Sequence, residues 1–249
     1  MNELIKDYRR ILAGLQVDRF NLDEDKYSGV FLPVPFDEYW AAKSKVMLVG
    51  RETAGWNTAN CKNTIKRVAG LVEGITLDEV VSEATERYKK HLKCDGEKVV
   101  IKSRSRFMQY YFRLAKELDL DPRAIIYTNL YAWDYNKKSP RKRPADELDE
   151  VVSLSQQLLA AQITHLKPEY IIFAAGVSGV DSIIKGLCNE HLGGYETSTE
   201  SVPRMLWQFK AAGATCFRIA HPRATHGHGE FRGGVIERIK KSISSGTSC

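Results

Sequence analysis

One stretch constrains the fold more than any other: Val46-Met47-Leu48-Val49-Gly50-Arg51-Glu52-Thr53-Ala54-Gly55-Trp56-Asn57. A short apolar run stops at Gly50. The polar, glycine-containing turn that follows carries one carboxylate, Glu52, and one indole, Trp56. This pattern predicts a buried strand that runs out into a loop able to carry chemistry. Two later stretches have the same form. Ile125-Ile126-Tyr127-Thr128-Asn129-Leu130 ends in polar Thr-Asn, and Thr215-Cys216-Phe217-Arg218-Ile219-Ala220 runs into His221-Pro222-Arg223. Ligands of open α/β sheets bind beyond the carboxyl ends of the strands. If these strands are parallel, Glu52, Asn129 and His221 meet along one edge.

The segments between these runs read mainly as helices. Leu4, Ile5, Tyr8, Ile11, Leu12 and Leu15 fall on one side of a helix over residues 2–15. Val30-Phe31-Leu32-Pro33-Val34-Pro35 is barred from helix by its prolines and predicts an extended segment. A short helix is expected over Asp37–Lys43. Residues 60–93 predict two helices, with a break at Gly74 and a capped restart at Thr76-Leu77-Asp78-Glu79. Cys94–Glu97 reads as a turn, and Val99–Ile101 as a short edge strand or loop. Phe107, Tyr111, Leu114 and Leu118 give a core-facing helix over 104–118. Pro144 and Asp146-Glu147 open a long helix to about Leu166, with Leu148, Val152, Leu159, Ile163 and Leu166 as its stripe. Tyr170–Gly176 is a continuous apolar strand, and helices are expected over 178–188, 202–211 and 230–243. This alternation predicts a three-layer α/β/α sandwich on a short, mainly four-stranded parallel sheet. The expected organisation is one domain over 1–249, with an N-terminal helical extension over 1–44 and a helical insertion over about 60–100.

Composition narrows the class. The chain has 249 residues, 43% hydrophobic and 27% charged, which suits a packed core rather than disorder. No apolar run is long enough to span a membrane, and the first residues lack a signal-peptide pattern. The five cysteines are scattered, without a CxxC pair, which points to a reducing, cytoplasmic setting and away from disulfide frameworks and Cys-type metal sites. The net charge is +6, and five of the seven residues from Lys137 to Arg143 are basic. That run is either a solvated loop or a phosphate-contacting surface formed by Lys137, Lys138, Arg141, Lys142 and Arg143.

The ordered pieces resemble the uracil-DNA glycosylase superfamily. Gly50-Arg51-Glu52-Thr53-Ala54-Gly55 stands where that superfamily has its Gly-x-(Asp/Asn/Ala)-Pro loop after the first strand. Tyr127-Thr128-Asn129-Leu130 looks like the strand end that carries the base-reading Asn. Leu166–Gly176 matches the region before the second motif, and His221-Pro222-Arg223 looks like that motif, His-Pro-Ser. The similarity covers the core from about residue 45 onward. Glu52 stands in place of Asp or Asn, Thr53 in place of Pro, and Arg223 in place of Ser. The cysteines do not match the family's iron–sulfur branches. The resemblance implies a uracil-DNA glycosylase-like fold and excision of uracil or a related damaged base from DNA, without a cofactor.

The residues themselves fit that chemistry. Excising a base requires holding it outside the stack, neutralising charge on the departing base, and placing an anion near the cationic sugar. Glu52 could supply the anion and orient water, or it could simply pair with Arg51. Asn129 offers both a donor and an acceptor to a pyrimidine edge, or it caps its own loop. His221 could donate to a carbonyl of the leaving base, or bond a backbone group. Trp56 is a stacking surface or a core plug. Gly50 and Arg51 line the loop, and Arg223 could reach a phosphate or fill the gap left by a flipped nucleotide. His221, His226 and His228 invite a metal reading, but their surroundings lack zinc-site spacing, and no metal is expected. Gly227, Gly229, Gly233 and Gly234 lack the lysine of a P-loop.

Three functions remain open. The first is a DNA glycosylase acting in base-excision repair. The second is a nucleic-acid or nucleobase-binding protein of the same fold, which the altered first motif favours. The third is a hydrolase or transferase acting on free nucleotides.

Overall fold

A computed structural model describes residues 2–56, 64–225 and 227–246. The chain divides into two compact units. One, the loop unit, comprises residues 1–34, 51–91 and 128–165. The other, the sheet unit, comprises residues 35–50, 92–127 and 166–249.

The strands are β1 (Val46–Gly50), β2 (Cys94–Asp95), β3 (Lys98–Val99), β4 (Ile125–Asn129), β5 (Tyr170–Phe173), β6 (Glu196–Thr197), β7 (Leu206–Ala211) and β8 (Ala214–Ile219). Six of them form one sheet in the order β4-β1-β5-β8-β7-β6. β1 runs parallel to β5 from Val46↔Tyr170 to Val49↔Phe173, and β5 runs parallel to β8 from Tyr170↔Thr215 to Phe173↔Arg218. Every residue of β1 and β5 is buried, which is why both read as unbroken apolar runs. The fold is therefore mixed α/β on a mostly parallel sheet. The four strands expected from the sequence are present, and β6 and β7 extend the sheet by antiparallel pairing.

Residues 202–211, expected as a helix, contain β7 instead. Ala212 and Gly213, both at positive φ (50° and 77°), close a tight hairpin that lays Leu206–Ala211 along β8. Two left-handed residues are what a two-residue hairpin turn needs, and pairing overrides local helical spacing. The sheet unit also holds α2 (Asp37–Ala41), α5 (Arg106–Glu117), α7 (Asp181–Gly186) and α8 (His228–Gly246). A π-helical turn, Leu187–His191, continues α7. The β2–β3 hairpin covers the segment expected as a turn and a short strand.

The loop unit contains α1 (Asn2–Leu12), α3 (Ile65–Val68), α4 (Leu77–Lys89) and α6 (Ala145–Leu166). The capping box at the start of α4 forms as read. Glu79 N–H donates to Thr76 Oγ1 at 3.2 Å, and Thr76 N–H donates to Glu79 Oε2 at 2.7 Å. The buried face of α6 differs from the predicted stripe. Leu148 and Val152 are only half-buried, and the face begins with buried Glu147 and Glu150. Each of these carboxylates has donors. Glu147 accepts from Asn21 N–H, the Tyr27 hydroxyl and the Arg143 guanidinium, and Glu150 accepts from Gln16 N–H. In this way the irregular N-terminal segment is tied to α6. No helix among the described residues is long and apolar enough to cross a membrane.

Candidate functional site

The two loops singled out in the sequence, those after β1 and β4, are laced together inside the loop unit. Tyr131 N–H donates to Arg51 O at 2.9 Å, Gly29 N–H to Trp56 O at 2.8 Å, and Phe31 N–H to Ala132 O at 2.8 Å. The knot is Asp134, which is fully buried. Its Oδ2 accepts from Thr53 Oγ1 at 2.5 Å and Gly55 N–H at 2.7 Å, and its Oδ1 accepts from Lys137 N–H at 2.8 Å. Its own N–H donates to Ser28 Oγ at 2.9 Å. Gly55 turns toward the carboxylate at φ 89°, a conformation that glycine adopts without strain. Sequence reasoning did not single out Asp134. A carboxylate inside the apolar run Leu130-Tyr131-Ala132-Trp133 was the available signal, because a buried carboxylate must be satisfied by several donors.

Glu52 pairs with its neighbour. Arg51 Nε lies 2.7 Å from Oε2 and Nη2 lies 3.0 Å from Oε1, a bidentate grip that engages both carboxylate oxygens. The carboxylate is the more buried half, with its side chain 13% exposed against 35% for Arg51. The hydrogen bonds that Arg51 donates to Glu52 raise the Arg51 pKa above its ordinary value, against the opposing effect of burial. Next to this pair lies Tyr131, also absent from the predicted site. Its ring is buried, and burial pushes its phenol up to about 12. Arg141, Glu52 and Arg51 all act on it electrostatically. Asn129 closes β4 half-buried, and its side-chain amide has no hydrogen-bond partner among the described residues. The self-capping alternative for Asn129 is therefore not realised there.

Trp56 is packed as core, which corrects its reading as a stacking surface. It is 7% exposed, edge-on to Phe31 at 4.7 Å and to His91 at 5.3 Å, with the Arg87 guanidinium 5.5 Å from its ring centre. Burial leaves no ring face for a base. Partial desolvation beside this cluster, with the Arg87 charge adding to it, holds His91 below its ordinary pKa, although its residue surface is exposed.

The basic run separates into two parts. Asn136 and Lys137, both left-handed, form a tight turn closed by Tyr135 N–H to Lys138 O at 2.8 Å. Lys137, Lys138, Arg141 and Lys142 are exposed. Arg143 is not free for a phosphate. It grips buried Glu147 at 2.8 and 3.0 Å and lies 4.0 Å over the Tyr135 ring. Its place among the predicted nucleic-acid contacts is therefore corrected to a structural one.

His221 and Arg223 belong to the sheet unit, where they follow β8. His221 Nδ1 accepts from Arg223 N–H at 3.1 Å, and Ala224 N–H donates to His221 O at 2.8 Å. With Nδ1 accepting, the proton of a neutral ring sits on Nε2, which makes that nitrogen the donor. Arg223 itself is exposed.

Among the described residues no group of three or more His, Cys, Asp or Glu could hold a metal. His226, Asn57, Cys61 and Cys249 lie outside the described residues. Cys94, Cys188 and Cys216 are free thiols, and burial pushes Cys188 up to about 11. Gly229, Gly233 and Gly234 lie within α8 rather than in a loop. No protein-family model matches the chain, and no curated protein is detectably similar to it.

Proposed function

We propose that the chain is a divergent member of the uracil-DNA glycosylase superfamily. In this reading it takes a nucleobase out of a DNA strand, holds it at the loops after β1 and β4, and hydrolyses the N-glycosidic bond of uracil or a related damaged base. One observation supports this above the others. Asp134 fastens the two loops together, and the same strand ends and loops carry the Asn129 amide, which has no partner among the described residues, the Tyr131 phenol and the Glu52 carboxylate. An amide with donor and acceptor both unused suits the alternating edge of a pyrimidine. A carboxylate near a forming sugar cation stabilises it, and a fixed loop does so without reorganising. Exposed Lys137, Lys138 and Lys142 add a cationic surface suited to a phosphodiester backbone. His221 enters through the resemblance, and its Nε2 donor has the right polarity for a carbonyl of the leaving base.

A second reading rests on the Arg51–Glu52 pair. With both oxygens engaged by Arg51, Glu52 orients no water, and the same pocket would bind a nucleobase or nucleic acid without cleaving it.

The deciding experiment measures base release from single- and double-stranded oligonucleotides, each carrying one uracil, hypoxanthine or xanthine. Wild type is compared with Glu52→Gln and Asn129→Ala. The glycosylase reading expects release that falls by at least about 100-fold in both variants. Full excision by both variants would refute it. Absence of release, together with salt-sensitive binding that weakens when Lys137, Lys138 and Arg141 are neutralised, would establish the binding reading.

A further inference from the structure

The sheet unit carries a recess between α7, the segment joining β6 to β7, and the β7–β8 hairpin. It encloses about 320 Å³, the lower end of the range for small-molecule sites. The residues that matter in its lining are Asp181, Lys185, Thr197, Arg204, Trp207 and Arg218.

Its floor is charged. Arg218 projects from β8 and is only 5% exposed. Its Nη2 donates to Asp181 Oδ2 at 3.0 Å, while its Nε lies 2.8 Å from Oδ1 as an ion pair without hydrogen-bond alignment. The remaining nitrogen, Nη1, is buried with no hydrogen-bond partner among the described residues. A buried guanidinium N–H left without an acceptor is unfavourable, and a ligand oxygen would remove that penalty.

Ser201 is already satisfied by Gln208, and the other polar side chains of the lining offer protons rather than accept them. Thr197 Oγ1 accepts from Trp207 Nε1 at 3.1 Å, which leaves the hydroxyl proton to be given. Lys185 holds its ammonium 5.8 Å from the centre of the Trp207 ring. Arg204 stands exposed on a left-handed residue at φ 61°. Asp181 is the one carboxylate among the lining residues, and it is already engaged by Arg218. Three cations against one carboxylate leave a surplus of positive charge. Val202, Pro203 and Trp207 add apolar wall beside it.

We propose that this recess binds a small organic oxyanion, a phosphate monoester or carboxylate. Its charged head sits at Arg218, Lys185 and Arg204, and its compact apolar body lies against the exposed Val202 and Pro203. Donors without free acceptors select a ligand that only accepts, and the volume excludes a large one. The inference is independent of the proposed function, because none of its residues belongs to the loops that hold Glu52 and Asn129.

The test follows the Trp207 indole N–H by NMR, assigned with Trp207→Phe, during titration with phenyl phosphate, benzoate and uncharged benzyl alcohol. At least one anion shifts the resonance saturably at millimolar concentration, and benzyl alcohol does not. The tighter of the two anions identifies the head group. Lys185→Ala and Arg204→Ala, both at exposed side chains where folding is not at risk, each weaken binding by about fivefold or more. Glu52→Gln leaves it unchanged, so loss of excision and loss of anion binding are read separately. No saturable shift with either anion, or an unaltered affinity in the Lys185→Ala/Arg204→Ala double variant, would overturn the proposal.

Discussion

Two arginine–carboxylate pairs, one in each unit, have nearly the same nitrogen–oxygen distances and opposite burial. In the loop unit the carboxylate is the covered half: the side chains of Arg51 and Glu52 are 35% and 13% exposed. In the sheet unit the guanidinium is covered: those of Arg218 and Asp181 are 6% and 40% exposed. A buried charge cannot be left uncompensated, whereas its solvated partner can exchange water for the pair at little net cost. The exposed member is therefore the one a ligand can replace. At Arg51 the group that can swing away is a cation; under the proposed function a DNA phosphate would attract it, and the cationic sugar would take its place beside Glu52. At Asp181 it is an anion, and a ligand oxyanion can stand in for it on Arg218. On the two proposals, the same kind of pair would prepare an anionic centre in one unit and a cationic one in the other. Arg143–Glu147, with the carboxylate buried and the guanidinium mostly covered (3% and 17% exposed), has no well-solvated half to exchange and holds the fold.

The largest effect concerns a carboxylate with no exposed half to exchange. Asp134→Ala strands the Thr53 hydroxyl and the Gly55 and Lys137 N–H groups, so unfolding in urea should show a loss of about 3 kcal/mol or more. A variant as stable as wild type would mean that Asp134 does not anchor the loops. Next comes the Arg143–Glu147 pair. Burial alone would raise the Glu147 pKa, but Arg143, the Tyr27 hydroxyl and Asn21 N–H together hold it below 4.5. The folded protein therefore binds this proton more weakly than the unfolded chain. The stability it contributes is complete above pH 4.5 and is lost as pH falls through the depressed folded value. Melting temperature against pH should show this decline, and Glu147→Gln should flatten it while costing about 2 kcal/mol at neutral pH. An acid limb of the same steepness in the variant would assign the decline to other carboxylates.

The two exchangeable pairs give smaller, opposite effects. Arg51→Met removes a phosphate contact but leaves Glu52 in place. KM for a damaged oligonucleotide should rise about tenfold, and the salt slope of binding should fall by about one, with kcat little changed. A selective loss of kcat would show that Arg51 acts in the chemical step and would break the comparison. Asp181→Asn removes the competitor for Arg218, so phenyl phosphate should bind about threefold more tightly. Weaker binding would show that Asp181 positions Arg218 rather than competes for it.

Much of the sheet is legible in the sequence. Strands β1 and β5 are unbroken apolar runs, which parallel strands covered on both faces favour, and β4 and β8 are mainly apolar runs that lead into Asn129 and His221. The capping box of α4 is legible for a local reason, since its partners lie three residues apart. β7 is not. Leu206-Trp207-Gln208-Phe209 is too short for its period to be unambiguous, and its turn uses Ala212-Gly213 rather than Asn-Gly. At the site, Glu52 and Asn129 stand out as polar residues at strand ends. Tyr131, Asp134 and the Trp56 packing do not, since nothing in composition tells a buried aromatic from an exposed one.

The sequence by itself determined the alternation of strands and helices, the two polar loops after β1 and β4, and the cluster of positive charge from Lys137 onward. These rest on contacts between near neighbours and on periodicity, which a linear string carries. Only the tertiary structure decided that Asp134 binds a loop about eighty residues earlier in the chain, that Glu147 is tied to Asn21 and Tyr27, and that Arg218 keeps one buried nitrogen unmet among the described residues. Each of these depends on which groups the fold removes from water. A charged residue's role is set by the partner that replaces its lost hydration, and that partner is known only once distant segments have been brought together.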